Sequence, residues 1–65
     1  MAHALFISPV SKLPVIVNEQ SSEYANLLFM GYTIEETGTK KQLERIEEQI
    51  MENFVSELEM NNETN

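Results

Sequence analysis

The last third of this chain carries apolar residues at intervals of three and four positions, separated by glutamates. This spacing is typical of an amphipathic helix, whose apolar side needs another apolar surface to lie against. The stripe consists of Leu43, Ile46, Ile50, Met51, Phe54, Val55 and Leu58. Because a chain of 65 residues has few other segments that can cover such a stripe, this helix constrains both the fold and the exposed surface.

The length of the chain predicts one small domain over residues 1–60, followed by a disordered polar tail over residues 61–65. A domain of this size buries only about 60% of the surface of its unfolded chain, which leaves its stability marginal. The chain has no cysteine and a single histidine, so neither a disulfide nor a thiolate metal site can reinforce it. We therefore expect no metal and no cofactor, and oligomerisation as the remaining source of stability.

The charge balance is strongly acidic. The 11 acidic residues are all glutamate, and with 4 lysine and arginine residues they give a net charge of −7. Direct binding of nucleic acid or of an anionic membrane depends on Lys and Arg, so neither partner is expected. No apolar run reaches the ~20 residues of a membrane-spanning helix, and no signal peptide is recognisable, which predicts a cytoplasmic protein.

Two short runs rich in Phe, Ile and Val, residues 4–8 and 13–18, predict two β-strands. The segment between them, residues 9–12, is typical of a turn, so a β-hairpin is the simplest arrangement. Pro9 and Pro14 have no backbone N–H, which places them at strand ends or along a sheet edge.

Residues 20–31 fit two structures. In the first they form a short helix, and residues 32–36 form a third strand; in the second, residues 24–35 form one long strand. The helix is supported by Ser21 or Ser22 as a cap, by Tyr24, Leu27 and Leu28 on one side, and by Gly31 followed by Tyr32 as a left-handed end. Because residues 27–30 show no alternation of apolar and polar side chains, we favour the helix.

Thr39 and Gln42 have the spacing of a capping box, which predicts the start of the long helix. The helix is expected to run to about Met60. The predicted fold is therefore α+β: a small sheet, made of the hairpin and one further strand, with a short helix and a long C-terminal amphipathic helix packed on one face.

The apolar stripe of the long helix covers about half of its circumference when residues are placed at roughly 100° intervals. This is wider than the seam between two helices in a coiled coil. One interpretation is that one flank packs on the sheet and the other on a partner subunit or another protein. The alternative is that the helix lies deep in the core of its own domain.

The charges on this helix follow an unfavourable order. Lys40, Lys41 and Arg45 lie in the first turns, and Glu57, Glu59 and Glu63 lie at or beyond the last turn, whereas the helix dipole favours the opposite order. Two antiparallel copies of the helix would bring the basic start of each beside the acidic end of the other. This predicts a homodimer through the long helix; the alternative is that exposed charges contribute little.

Glu47 interrupts the stripe, because its position on the helix lies between those of Phe54 and Leu58. A buried carboxylate without a partner is costly. Either a cation meets it, such as Lys40, Lys12 or a residue of a partner, or its stem packs while the carboxylate reaches water.

Motifs for catalysis are absent from the sequence. The only conventional base, His3, is expected at a mobile terminus, and there is no glycine-rich phosphate loop, EF-hand pattern or Glu-x-x-His pair. The protein is therefore expected not to be an enzyme.

The favoured hypothesis is an acidic protein-binding module, an inhibitor or regulator that occupies a basic surface of another protein. Apolar anchors and steering charges are expected on one flank of the long helix. The predicted interface consists of Glu44, Glu47, Glu48, Met51, Glu52, Phe54 and Val55. One alternative is an assembly subunit that binds only itself. Another is a DNA mimic, although a glutamate row with one charge per helical turn has only about half the charge density of a DNA strand.

Overall fold

The protein has the predicted α+β fold. The structure is a computed structural model that describes the backbone of residues 2–63 and the side chains of residues 2–57. The elements follow one another as β1 (His3–Ile7), β2 (Pro14–Asn18), α1 (Ser22–Phe29), β3 (Thr33–Gly38) and α2 (Lys40–Glu63). A three-stranded antiparallel sheet carries the short helix and the long C-terminal helix.

The sheet has the order β2-β1-β3, so the first strand is central. Ala4 pairs with Val17 and Phe6 with Val15, which places these four side chains on one face. Leu5 pairs with Ile16 and therefore points to the opposite face. On the other side of β1, Leu5 pairs with Glu36 but Phe6 with Ile34, so β3 contains one extra residue, Glu35, as a bulge.

The β1–β2 turn is held by Ser8, whose side chain is buried. Its hydroxyl oxygen accepts hydrogen bonds from the backbone N–H groups of Val10 and Ser11, both at 3.2 Å. Lys12 completes the turn in a left-handed conformation with φ of 65°. Pro9 lies in this turn and Pro14 opens an edge strand, which confirms the positions predicted for both prolines.

Residues 22–29 form a helix, which confirms the favoured interpretation of this segment. Gly31 ends it with φ of 91°, and the N–H groups of Gly31 and Tyr32 donate to the carbonyl oxygens of Leu28 and Leu27. These two bonds form a Schellman motif. Ser21 occupies the N-cap position, but its hydroxyl donates to the carbonyl of Asn18 and does not cap the helix.

The predicted capping box at the start of α2 is confirmed. The N–H of Gln42 donates to the hydroxyl oxygen of Thr39 at 3.2 Å, and the N–H of Thr39 donates to the side-chain oxygen of Gln42 at 3.1 Å. Gly38 leaves room for this side chain, since a Cβ there would lie 2.7 Å from that oxygen. The capping box begins α2 directly where β3 ends.

The two helices cover opposite faces of the sheet. α1 lies on the face of Phe6, whose ring meets Tyr24 edge-on with centroids 5.4 Å apart. On the other face, Leu5 is fully buried, and α2 contacts all three strands and buries Leu43 completely. β1 is therefore covered by a helix on each face of the sheet and paired with a strand at each edge.

α2 continues to Glu63, three residues beyond the end predicted near Met60. Of the tail predicted to be disordered, residues 64–65 lie outside the described residues. In the part of the chain that the structure describes, no helix is long and apolar enough to cross a membrane.

Candidate protein interface

The first half of α2 packs on the sheet. Leu43 is fully buried, and Ile46, Glu47 and Ile50 are partly buried, at positions spaced three and four residues apart. This half of the stripe forms one layer of the core, together with Leu5 of the central strand. It behaves as the apolar side of an ordinary surface helix.

The second half of the stripe is exposed. Met51, Phe54 and Val55 are 40%, 39% and 48% exposed. Phe54 lies eleven residues, about three full turns, after Leu43, so both side chains leave the helix in nearly the same direction. Because one is fully buried and the other is not, the exposure of Phe54 does not come from rotation of the helix. The helix extends beyond the sheet that covers its first half.

The lengths of the elements agree with this conclusion. A helix of 24 residues measures about 36 Å, whereas strands of five residues measure about 17 Å. α2 begins next to Gly38, which pairs with His3 at the start of the central strand, and its first half then covers the sheet. The longest dimension of the molecule, 46 Å, is much greater than the length of the sheet. We call residues 51–57 of α2 the overhang.

An acidic edge runs along the same flank of α2. Glu44 and Glu48 are exposed and lie two turns before Met51 and Val55 respectively, so carboxylates precede apolar side chains along one line of the helix. A shallow open groove follows this line and is lined by Glu48, Met51, Glu52, Val55 and Ser56. The flank thus offers carboxylates beside exposed apolar side chains.

Glu47 lies at the margin of the packed half of α2 and is partly exposed. Among the side chains of residues 2–57, no ion pair involves it. Neither Lys40 nor Lys12 therefore acts as the partner considered above. Its carboxylate reaches water while its aliphatic stem lies beside the apolar stripe.

The charges at the two ends of α2 follow the order that the helix dipole disfavours. The first turn contains no acidic residue, and the last turn contains no basic residue. Glu57 is exposed, whereas Leu58, Glu59 and Glu63 lie outside the residues whose side chains are described. The basic residues Lys40, Lys41 and Arg45 are all exposed. The helix is therefore charged in opposite senses towards its two ends.

The structure corrects the expectation that His3 lies at a mobile terminus. His3 opens the central strand, pairing with Asn18 on one side and Gly38 on the other. Its Nδ1 atom is buried and has no hydrogen-bond partner among the described residues. The sequence did not reveal this position, because the predicted strand began at Ala4 and left His3 outside the sheet.

A second cavity, of about 270 Å³, adjoins His3 and Lys40 at the start of α2. Within residues 2–63, no group of three or more potential metal ligands is brought together. Besides His3 and Lys40, the cavity is lined by Ile16, Val17, Asn18, Ser21 and Glu23, and the hydroxyl of Ser21 donates to the carbonyl oxygen of Asn18. The predicted interface residues all lie on α2, away from this cavity.

Comparison of the chain with protein-family models, with curated proteins and with solved structures finds no match. The functional argument therefore depends on the geometry and chemistry of the chain itself.

Proposed function

We propose that this protein is a binding module, an inhibitor or regulator that occupies a basic surface of another protein through the overhang and acidic edge of α2. The observation that carries the proposal is that the apolar stripe continues beyond the sheet, where Met51, Phe54 and Val55 are exposed and Phe54 points in nearly the same direction as the buried Leu43. Apolar side chains placed in this way on a helix are typical of helix-in-groove recognition.

The residues on this flank have distinct roles in the proposal. Met51, Phe54 and Val55 are the anchors, because a few buried apolar side chains dominate the free energy of most interfaces. Glu44, Glu48 and Glu52 steer a basic partner during encounter, since complementary charge acts mainly on the association rate. Glu47 lies within the apolar stripe one turn before Met51, and in the proposal its carboxylate meets a cation of the partner.

The proposal is tested by capturing partners with the affinity-tagged full chain and two charge-matched variants. Val55→Glu places a carboxylate on the proposed interface, whereas Asn53→Glu places one on another exposed side of the same helix. We expect a stoichiometric foreign protein that binds the wild type and Asn53→Glu but not Val55→Glu. Its association rate should fall as NaCl is raised, because salt screens the steering charges.

Two results would contradict the proposal. In one, the captured protein binds Val55→Glu as well as it binds the wild type. In the other, the chain recovers only copies of itself. A captured protein that DNA displaces would instead assign the acidic edge to imitation of DNA.

The charge order of α2 favours a second candidate, an assembly subunit that pairs with itself through antiparallel copies of this helix. In that arrangement Lys41 and Arg45 of each copy lie beside the acidic second half of the other. Loss of self-association in Val55→Glu, with no foreign partner recovered by the wild type, would support this candidate over the first.

A further inference from the structure

The cavity of about 270 Å³ beside His3, which we call the His3 cavity, lies at the end of the sheet opposite the overhang. The last residues of β2 and β3, Asn18 and Gly38, both pair with His3, so both strands end here. Because α1 follows β2 and α2 follows β3, the two helices also begin here. The first turn of α1 contributes Glu23 to the wall of the cavity, and the first residue of α2 contributes Lys40.

Glu23 and Lys40 carry opposite charges on the wall of one cavity, yet they do not pair with each other. Within the described side chains, neither takes part in an ion pair or a side-chain hydrogen bond. Both residues are exposed. Two opposite charges that share a cavity without touching offer one contact to an anionic group and another to a cationic group of the same ligand.

His3 adds a hydrogen-bond donor to this cavity. Its Nδ1 atom is buried and has no hydrogen-bond partner among the described residues. A buried N–H without an acceptor is costly, so the proton of the neutral ring belongs on Nε2. Nε2 is not buried, and it makes no hydrogen bond within the same residues. It is therefore the ring nitrogen that can donate to a ligand.

Ile16 and Val17 give the cavity an apolar part. Val17 belongs to the buried cluster around Phe6, and Ile16 is partly buried on the other face of β2. These two side chains suit an aliphatic group of a ligand and not a charged one. The volume of the cavity lies just below the ~300–1,000 Å³ of typical ligand pockets, which limits the occupant to a small molecule.

We propose that the His3 cavity binds a free α-amino acid with an aliphatic side chain. Its carboxylate meets the ammonium group of Lys40 and accepts a hydrogen bond from Nε2 of His3. Its ammonium group meets the carboxylate of Glu23, and its side chain lies against Ile16 and Val17. One ligand thus satisfies both charges, the ring nitrogen and the apolar part of the cavity.

A ligand with a single charge fits the cavity less well. An anion would pair with Lys40 but face the carboxylate of Glu23, and the net charge of −7 repels it as well. A cation would pair with Glu23 but lie beside Lys40. An α-amino acid has no net charge and carries both charged groups on one carbon atom. The site is separate from the proposed α2 interface, none of whose residues lines the cavity.

The test is an NMR titration of the isotope-labelled full chain with three related compounds. L-Leucine has both charged groups, isocaproate lacks the ammonium group, and isoamylamine lacks the carboxylate. We expect leucine to shift the amide signals of residues 16–18 and 21–23 and to bind in the millimolar range or more tightly. Each analogue should bind at least about tenfold more weakly, because one charge of the cavity then has no partner.

Two variants identify the residue that holds each end of the ligand. Lys40→Gln should weaken leucine binding at least about tenfold and bind isoamylamine more tightly than the wild type does, because it removes the like charge. Glu23→Gln should weaken leucine binding similarly and bind isocaproate more tightly. Lys41→Gln and Glu36→Gln change exposed residues outside the cavity and should bind leucine like the wild type. Circular dichroism checks that each variant is folded.

Three results would overturn the proposal. Leucine that shifts no amide signal around the cavity at concentrations up to about 20 mM removes the site. Isocaproate that binds the wild type as tightly as leucine assigns the cavity to anions. A loss of leucine binding in Lys41→Gln equal to that in Lys40→Gln shows only a general effect of charge. None of these results bears on the proposed binding of a foreign protein through α2, which is read from Val55→Glu.

Discussion

Gly31 holds the junction between α1 and β3 in a left-handed conformation, with φ of 91°. An L-amino acid with a Cβ is strained there, although asparagine tolerates this region better than other residues. We expect Gly31→Ala to lower the free energy of unfolding by about 1 kcal/mol or more, and Gly31→Asn by less. Urea denaturation of the two variants measures the difference. Equal losses would mean that contact with Pro9, rather than backbone strain, determines the choice of glycine.

The end of α1 and the capping box of α2 could be predicted because each depends on residues within four or five positions of one another. Ser21 shows the limit of this reasoning. Its N-cap position was among the two predicted, but its hydroxyl donates to the carbonyl of Asn18, which the preceding strand presents to it. That competing acceptor becomes visible only after β2 and α1 have been placed.

The two halves of α2 differ in what they contribute to stability. Leu43 is fully buried against the sheet, so Leu43→Ala should lower the free energy of unfolding by about 2–5 kcal/mol, enough to unfold much of a domain of this size. Phe54 leaves the helix in the same direction but beyond the sheet. We expect Phe54→Ala to cost about 1 kcal/mol or less, although a buried Phe normally costs about 3–5 kcal/mol.

Thermal unfolding followed by circular dichroism measures both variants against the wild type. A loss at Phe54 as large as that at Leu43 would show that the overhang is covered within its own chain.

Sequence periodicity predicted every helix and strand, with strand bounds within one or two residues, but not the point where α2 leaves the sheet. The positions of Leu43 and Phe54 on the helix are nearly equivalent, and only the length and register of the strands distinguish them. The sequence likewise gave no sign that Phe29, at the end of α1, is 93% exposed. Phe29 belongs to the apolar run of residues 27–30, and its direction depends on which side of α1 meets the sheet.

The whole molecule has an uneven distribution of charge, since seven of its 11 glutamates lie on α2 and none lies in residues 2–18. Mutual repulsion within a compact chain of net charge −7 lowers its stability. We expect NaCl to raise the free energy of unfolding by urea by about 0.5 kcal/mol, because it screens these charges.

The double variant Glu44→Gln, Glu48→Gln provides the control. It removes two of the negative charges from one side of α2 and should show a smaller gain with salt. An equal or larger gain would mean that salt acts through apolar burial and not through screening. The experiment requires urea, since guanidinium chloride is itself a salt.

The extra residue in β3 has a consequence for the solubility of concentrated protein. An edge strand with free N–H and C=O groups is a template on which further strands can add, which is how cross-β fibrils grow. Glu35 interrupts the regular spacing of those groups at the middle of the strand and places a carboxylate there. A variant that lacks Glu35 would present a straight, regular edge, and it should form thioflavin-positive fibrils under conditions in which the natural chain remains clear.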